Sequence, residues 1–296
     1  MRTGYYQMGH AFFRLHLPEE IMTPPNLSKF QIQNSQRPEE GYIDYTLEVV
    51  EDFNKIQDYV EQHRIGPEIT RKDLRVWNTA SGECRIFYIE GNPVPYGISL
   101  QQQEKNYHVW ISQEIQELLC CDTIFFSMFS LEKHMIHQDA MILHCAYMEH
   151  PKGAILFSAA SGVGKSTQAS LWKTYRGNRT MNGDRSLLTM ENGTWYANGW
   201  PVCGSSKICH NEALPIQAIV MLKQAKENKI SRMTGFEALR LVMEQITING
   251  WNGEFQMRVM DLLEDLLNKV PIYQLECDIS EEAVRCLEEV LERGER

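Results

Sequence analysis

The sequence has no Cys-x-x-Cys pair, no apolar run of membrane-spanning length, no surplus of basic charge, no internal repeat and no low-complexity tract. Each absence removes a class of protein. Eight cysteines are present, but none is spaced as in a thiol oxidoreductase or a zinc ribbon. Cys203, Cys209 and His210 lie close together without matching a zinc motif, so buried or loop thiols are the simpler reading. The first residues carry Arg2, His10 and Arg14 with no uninterrupted apolar core, unlike a secretory signal. Reduced thiols and a cytoplasmic location are therefore expected. No stretch has the length of a membrane span. The formal net charge of −10 gives no footprint for nucleic acid or an anionic membrane, so neither is expected as a partner.

What remains is an ordinary globular composition, 43% hydrophobic and 23% charged, over 296 residues. That length suits one large or two modest domains with a substantial core. Residues 1–110 read as strand-rich, with candidates at Gly41–Val50, Leu74–Thr79, Cys84–Glu90 and Tyr107–Ile111. A helix is expected within Val50–His63. The region carries no motif with a chemical role, and a structural sheet is slightly preferred over acceptor recognition. Residues 111–137 read as a helical connection rich in Leu, Phe and Met. From 138 to 296 strands and helices alternate, the pattern of an α/β domain. Asn192-Gly193 marks a tight hairpin there, and Asp278 with Glu281 is a candidate capping box.

The chemistry concentrates in Ala159-Ala160-Ser161-Gly162-Val163-Gly164-Lys165-Ser166-Thr167. Small residues let consecutive backbone N–H groups turn inward around a phosphate, with alanine standing where a first glycine is usual. Gly162 and Gly164 supply backbone freedom. Lys165 brings a point charge to the β and γ phosphates, and the Ser166 hydroxyl is the expected Mg²⁺ ligand. The apolar strand Ala154–Phe157 precedes the loop, and a helical pattern runs from Ser166 to about Gly177. Strand, loop and helix are the required order, with the helix macrodipole facing the anion. A chance match somewhere in a chain of this length has a probability of roughly 2%. Ala160 to Thr167 are thus the expected nucleotide-binding residues, and ATP with Mg²⁺ the expected ligands.

Two further elements bear on the loop. Glu149-His150-Pro151-Lys152-Gly153 is a short turn, so Met141–Met148 and Ala154–Phe157 should pair antiparallel. Pairing Glu149 with Ala154 places His144 opposite Ala159, beside the loop. A hydrogen-bonded core histidine and a site histidine are both open for His144. One short strand after the loop helix comes Met181-Asn182-Gly183-Asp184-Arg185. A P-loop kinase needs a carboxylate here to hold Mg²⁺, and Asp184 is the one acidic residue between the loop and Glu191.

Leu143-His144, the hairpin, the 161–167 loop and Gly183-Asp184 together resemble the HPr kinase/phosphorylase family and its structural relative, ATP-dependent phosphoenolpyruvate carboxykinase. Gly199-Trp200-Pro201-Val202-Cys203-Gly204-Ser205-Ser206 is similar to the Gly-x-Pro-x-x-Gly loop of small HPr-kinase-related proteins. The resemblance covers roughly residues 138–292. It implies an α/β P-loop kinase core with a mixed sheet, preceded by the strand-rich region. It also implies transfer of the γ-phosphoryl group of ATP to a hydroxyl of a peptide, protein or small molecule, probed first with serine. Lys165, Asp184, His144 and Arg185 would be the catalytic groups, with Ser166 and Asp184 on Mg²⁺. Cys203, Gly204, Ser205 and Lys207 would form the acceptor-side loop. Homo-oligomerisation stays open. The family usually carries two adjacent aspartates, whereas here the triplet is Gly183-Asp184-Arg185. The missing partner corresponds to Gly183 or to Arg185, and the alternative expectation is a nucleotide-binding regulatory module or pseudo-kinase. The shortness of the chain argues against carboxykinase activity.

Overall fold

The structure is a computed structural model and describes residues 1–293. The chain divides into two units, Met1–Leu131 and the remainder from Glu132. Each is built on a mixed β-sheet, so the class is α/β. Among the described residues no helix is long and apolar enough to cross a membrane.

The first unit holds β1 (Arg2–Met8), β2 (Ala11–Leu17), β3 (Ile43–Val50), α1 (Phe53–Gln62), β4 (Ile65–Thr70), β5 (Leu74–Asn78), β6 (Glu83–Tyr88), β7 (Pro95–Gln103), β8 (Asn106–Ser112) and α2 (Asp122–Ser127). Its eight strands lie in the order β1-β2-β3-β8-β7-β6-β5-β4. The β2–β3 and β3–β8 pairs are parallel and the others antiparallel. Strand periodicity explains one core directly. Cys84 and Ile86 of β6, Ile98 and Leu100 of β7, and Trp110 of β8 cluster with Val60 of α1. The stretch 111–137, expected to be helical, is partly a 3-10 segment, Gln113–Cys120, followed by α2 and α3 (Leu131–Ile136).

The second unit continues with β9 (Met141–His150), β10 (Gly153–Ser158), α4 (Lys165–Arg176), β11 (Thr180–Asn182), β12 (Arg185–Glu191), β13 (Thr194–Asn198), β14 (Ala213–Gln224), β15 (Lys229–Met233), α5 (Gly235–Met243), α6 (Gly253–Lys269), β16 (Ile272–Cys277) and α7 (Glu281–Arg293). The strand path is β10-β9-β12-β13-β14-β16-β15, with an additional β10–β14 pairing. The long strands β9 and β14 each change partners midway. Met141–His144 pair with β12 and Cys145–His150 with β10. Ala213–Pro215 pair with β13, and Ile216–Met221 run parallel to β10.

Both faces of this sheet are covered, because alternate side chains point to opposite sides. Leu143, Cys145, Tyr147, Leu156, Ile219 and Ile272 pack with α5 and α6 through Val242, Phe255, Val259 and Leu263. Ala146, Met148, Ile155, Phe157, Val220 and Leu275 pack with α4 and α7 through Ala169, Trp172, Val284 and Leu287. Trp172 is 1% exposed and is the main anchor of α4 on the sheet. Trp172→Ala is expected to cost about 3–5 kcal/mol of stability, read as a lower urea midpoint with little change in slope.

The turns follow from their residues. Asn192 and Gly193 both have positive φ, 50° and 83°, as a two-residue hairpin turn requires. Gly177 ends α4 at φ 73°, and its N–H donates to Lys173 O. The Asp278–Glu281 capping box does not form as spaced. The last helix begins at Glu281, and Asp278 instead accepts hydrogen bonds from the Ser280 N–H and hydroxyl.

Candidate active site

The segment between β10 and α4 is a tight loop at the N-terminus of a helix. Gly162 has φ 80° and Gly164 φ 124°, conformations that a side chain would strain. Among the described residues no atom outside its two chain neighbours lies within 4 Å of a Cβ built on Gly162, so backbone conformation, not crowding, requires glycine there. Ala160, Ser161, Gly162, Ser166 and Thr167 face solvent, with Val163 and Gly164 half-buried.

Lys165 is the exception. Only 7% exposed, it folds back over the loop, and its Nζ donates to Ala159 O at 2.9 Å and Ala160 O at 3.4 Å. Burial pulls its pKa down, and the negative charge of Asp184 and then the Cys145 thiol draw it partly back, leaving it below the ordinary lysine value. The unfolded chain therefore holds this proton to higher pH, and the cost of burying the ammonium is relieved as pH rises. An anion in the loop would offset the same cost.

The second segment meets the loop at Ser166, whose Oγ lies 3.5 Å from Gly183 O. Asp184 is held there by a residue that the sequence reading passed over. Asn182 is fully buried, and its Oδ1 accepts from the N–H groups of Asp184 at 2.9 Å and Arg185 at 3.0 Å. Its Nδ2 donates to Trp200 O at 2.7 Å and Val202 O at 3.1 Å. One amide thus ties the aspartate turn to the 199–207 loop. The signal was an Asn two residues before the aspartate, the pattern of an Asx turn.

His144 comes to the same place. The β9–β10 register pairs Glu149 with Ala154 and Cys145 with Ser158, as expected, but the strands continue to His150 and from Gly153, so the turn itself is only Pro151-Lys152. On its other side β9 pairs His144 with Arg185. The His144 Nε2 lies 3.4 Å from Asp184 Oδ1, and the Arg185 Nε donates to Asp184 Oδ2 at 3.2 Å. Burial pushes the Asp184 carboxyl up, but the His144 hydrogen bond and the Arg185 charge outweigh it, and the net shift is downward. Asp184 is an ionised carboxylate at neutral pH.

The 203–207 turn leans on this pair. A Cβ built on Gly204, at φ 56°, would sit 3.2 Å from the Asp184 carboxyl carbon. A Cβ on Gly183 would come within 2.2 Å of Ser206 Oγ. That hydroxyl is fixed, donating to Cys203 O at 2.7 Å and accepting from Ile208 N at 3.2 Å. An aspartate at position 183 would therefore have to displace Ser206. Ser205 and Lys207 are exposed, whereas Cys203 is 2% exposed and offers no thiol to solvent.

A family model described as SynChlorMet cassette protein ScmC matches residues 112–292, more than half of the chain. The chain belongs to that family. No curated protein matches it. A solved structure described as the Hpr(Ser) kinase/phosphatase from Coxiella burnetii is similar over 51% of this chain and 93% of that chain, at 13% identity and a TM-score of 0.30. The likeness is distant. Within the ScmC family match lie the glycine loop, the Asp184 turn and the 199–207 loop alike.

Proposed function

We propose that the chain is an ATP-dependent kinase that transfers the γ-phosphoryl group to a hydroxyl, with serine of a peptide or protein as the first acceptor class to test. One observation carries the reading: the glycine loop with its buried Lys165 abuts, at Ser166, the turn that holds the His144–Asp184 pair. A cationic cradle for phosphates beside an ionised carboxylate is what phosphoryl transfer needs.

The donor set fits Mg²⁺ of the nucleotide-bound kind. Among the described residues no three His, Cys, Asp or Glu side chains group to cage an ion. Mg²⁺ is ordinarily held by one or two protein oxygens together with substrate phosphates and water. Ser166 and Asp184 would be those oxygens, and the ion would supply charge neutralisation on the phosphates. Lys165 and the loop N–H groups bind the β and γ phosphates. The acceptor oxygen attacks the γ-phosphorus, the bond to the β–γ bridging oxygen breaks, and the hydroxyl proton passes to the Asp184 carboxylate or the His144 imidazole. Catalysis through a loose transition state depends mainly on placement and charge, so a single aspartate suffices.

His144→Gln separates a site role from a packing role. Turnover is expected to fall about 10²-fold, the lower end for a positioned acid–base group, with the melting temperature little changed. Unchanged turnover per folded molecule with a lowered melting temperature would make His144 a core residue.

One observation favours the second reading, a nucleotide-binding regulatory module. Arg185 donates to one Asp184 oxygen and His144 lies against the other, so a metal would have to compete with both. In a kinase Arg185 swings to the transferred group; in a regulatory module it stays on Asp184. Radiolabel transfer from ATP to protein, peptide or free serine distinguishes the two.

A further inference from the structure

The glycine loop has a second side. β10 is flanked on one edge by β9, which leads to His144 and Asp184, and on the other by β14 and then β16, both parallel to it. Ligands of α/β sheets collect beyond the carboxyl ends of such parallel strands. Here those ends enclose a cavity of about 290 Å³. Its walls include Val163 and Gln168 from the loop and α4, Gln224 and Ala225 from the end of β14, and Asp278 and Ile279 after β16. The volume is near the lower bound for a small-molecule pocket, roughly 300 Å³.

Three features make it a built site. Gln224 Nε2 donates to Val163 O at 3.2 Å, tying the far strand to the loop. Asp278 is locked, accepting from Ser280 and Asn228 through Oδ1. Gln168, 2% exposed, donates from Nε2 to Cys277 Sγ at 3.1 Å and Asp278 O at 3.2 Å, and its Oε1 has no partner among the described residues. An unmet buried acceptor is costly unless a ligand donor supplies the bond. At the rim, Ile279 is 76% exposed, a large aliphatic side chain left mostly to solvent. The geometry also sets a direction. If the γ-phosphate faces Asp184, the opposite end of the donor leaves the loop toward β14 and β16.

We propose that this cavity receives the nucleoside of the phosphoryl donor, with Ile279 and Val163 against the base and a nucleoside hydroxyl or amine meeting Gln168. The donor is then a nucleoside triphosphate, not an inorganic polyphosphate. The inference rests on the kinase reading of the loop.

The test is calorimetric titration of the full chain with ATP and with inorganic tripolyphosphate, each with Mg²⁺. ATP is expected to bind wild type at least tenfold more tightly than tripolyphosphate. Ile279→Ser removes an exposed side chain and should weaken ATP about tenfold, the effect of one lost apolar contact, leaving tripolyphosphate unchanged. Ala225→Phe, which fills the cavity, should do the same, with a thermal melt verifying its fold. ATP affinity unchanged in both folded variants overturns the proposal. So does equal binding of the two ligands to wild type, which leaves the phosphate-loop reading standing. Binding of neither ligand overturns both.

Discussion

Lys165→Ala is expected to reduce phosphoryl transfer by 10³-fold or more, within the range for a charge that stabilises the transferring group. The melting temperature of the unliganded protein should barely move. The two expectations come from the same geometry. Lys165 is 7% exposed, bonded to Ala159 and Ala160 carbonyls, with its pKa pulled down by burial. Its charge is held at a cost that a bound phosphate would compensate. A lysine serving the fold would behave in the opposite way, with its loss lowering the melting temperature and leaving transfer per folded molecule intact. Radiolabel transfer from ATP beside a thermal melt reads both quantities.

Asp184→Asn is expected to lower turnover by about 10²–10⁴-fold, the span for a positioned acid–base group, while ATP binding in the absence of metal stays near wild type. The substitution keeps the shape that Gly204 leans against, the backbone N–H bond to Asn182 Oδ1 and the bond that the Cys145 N–H donates to the residue-184 carbonyl, but removes the charge. It also carries a pH signature. The folded-state pKa of Asp184 lies below its ordinary value of 3.8, with burial opposing the shift and His144 and Arg185 producing it. A depressed pKa contributes stability that is complete above the ordinary value and is lost as pH falls through the folded one. Wild type should therefore lose melting temperature on acidification below about pH 4 more steeply than Asp184→Asn. Parallel acid limbs for the two proteins would mean that the carboxylate is not coupled to its neighbours.

Much of this site was legible because local rules decide it. The loop glycines sit where positive φ is needed, at 80° and 124°. The hairpin register follows from a tight turn at Pro151-Lys152, so the pairing of Glu149 with Ala154 could be read from the sequence. The contact of His144 with Asp184 could not, because that depends on β9 changing partners from β10 to β12 midway, a tertiary event. The turn made by the Asn182 Oδ1 was a local signal, but the commitment of its amide nitrogen to Trp200 and Val202 was not, because only the fold brings those residues near. The crowding of Gly183 by Ser206 likewise spans two loops.

The first unit forms an eight-stranded sheet, and several of its strands carry little signal in the sequence. Ala11, Phe13, Leu15 and Leu17 are buried in strict alternation along β2, with Phe12, Arg14 and His16 on the other face, and the apolar Phe12 blurs the alternation in the sequence. β4 gave no such signal, since nearly all of Ile65–Thr70 is exposed at the edge of its sheet. Between residues 113 and 136 the apolar stripe suggested helix throughout. The positive φ of Ser130, 49°, separates α2 from α3 where periodicity alone shows no break.

The most direct measurement of the central claim is a calorimetric titration of wild type and Lys165→Ala with Mg·ATP. Saturable one-to-one binding by wild type, lost or strongly weakened in the variant while both proteins melt alike, is the result expected of a phosphate-binding loop. Equal affinity in the two proteins, or no binding by folded wild type, would contradict it.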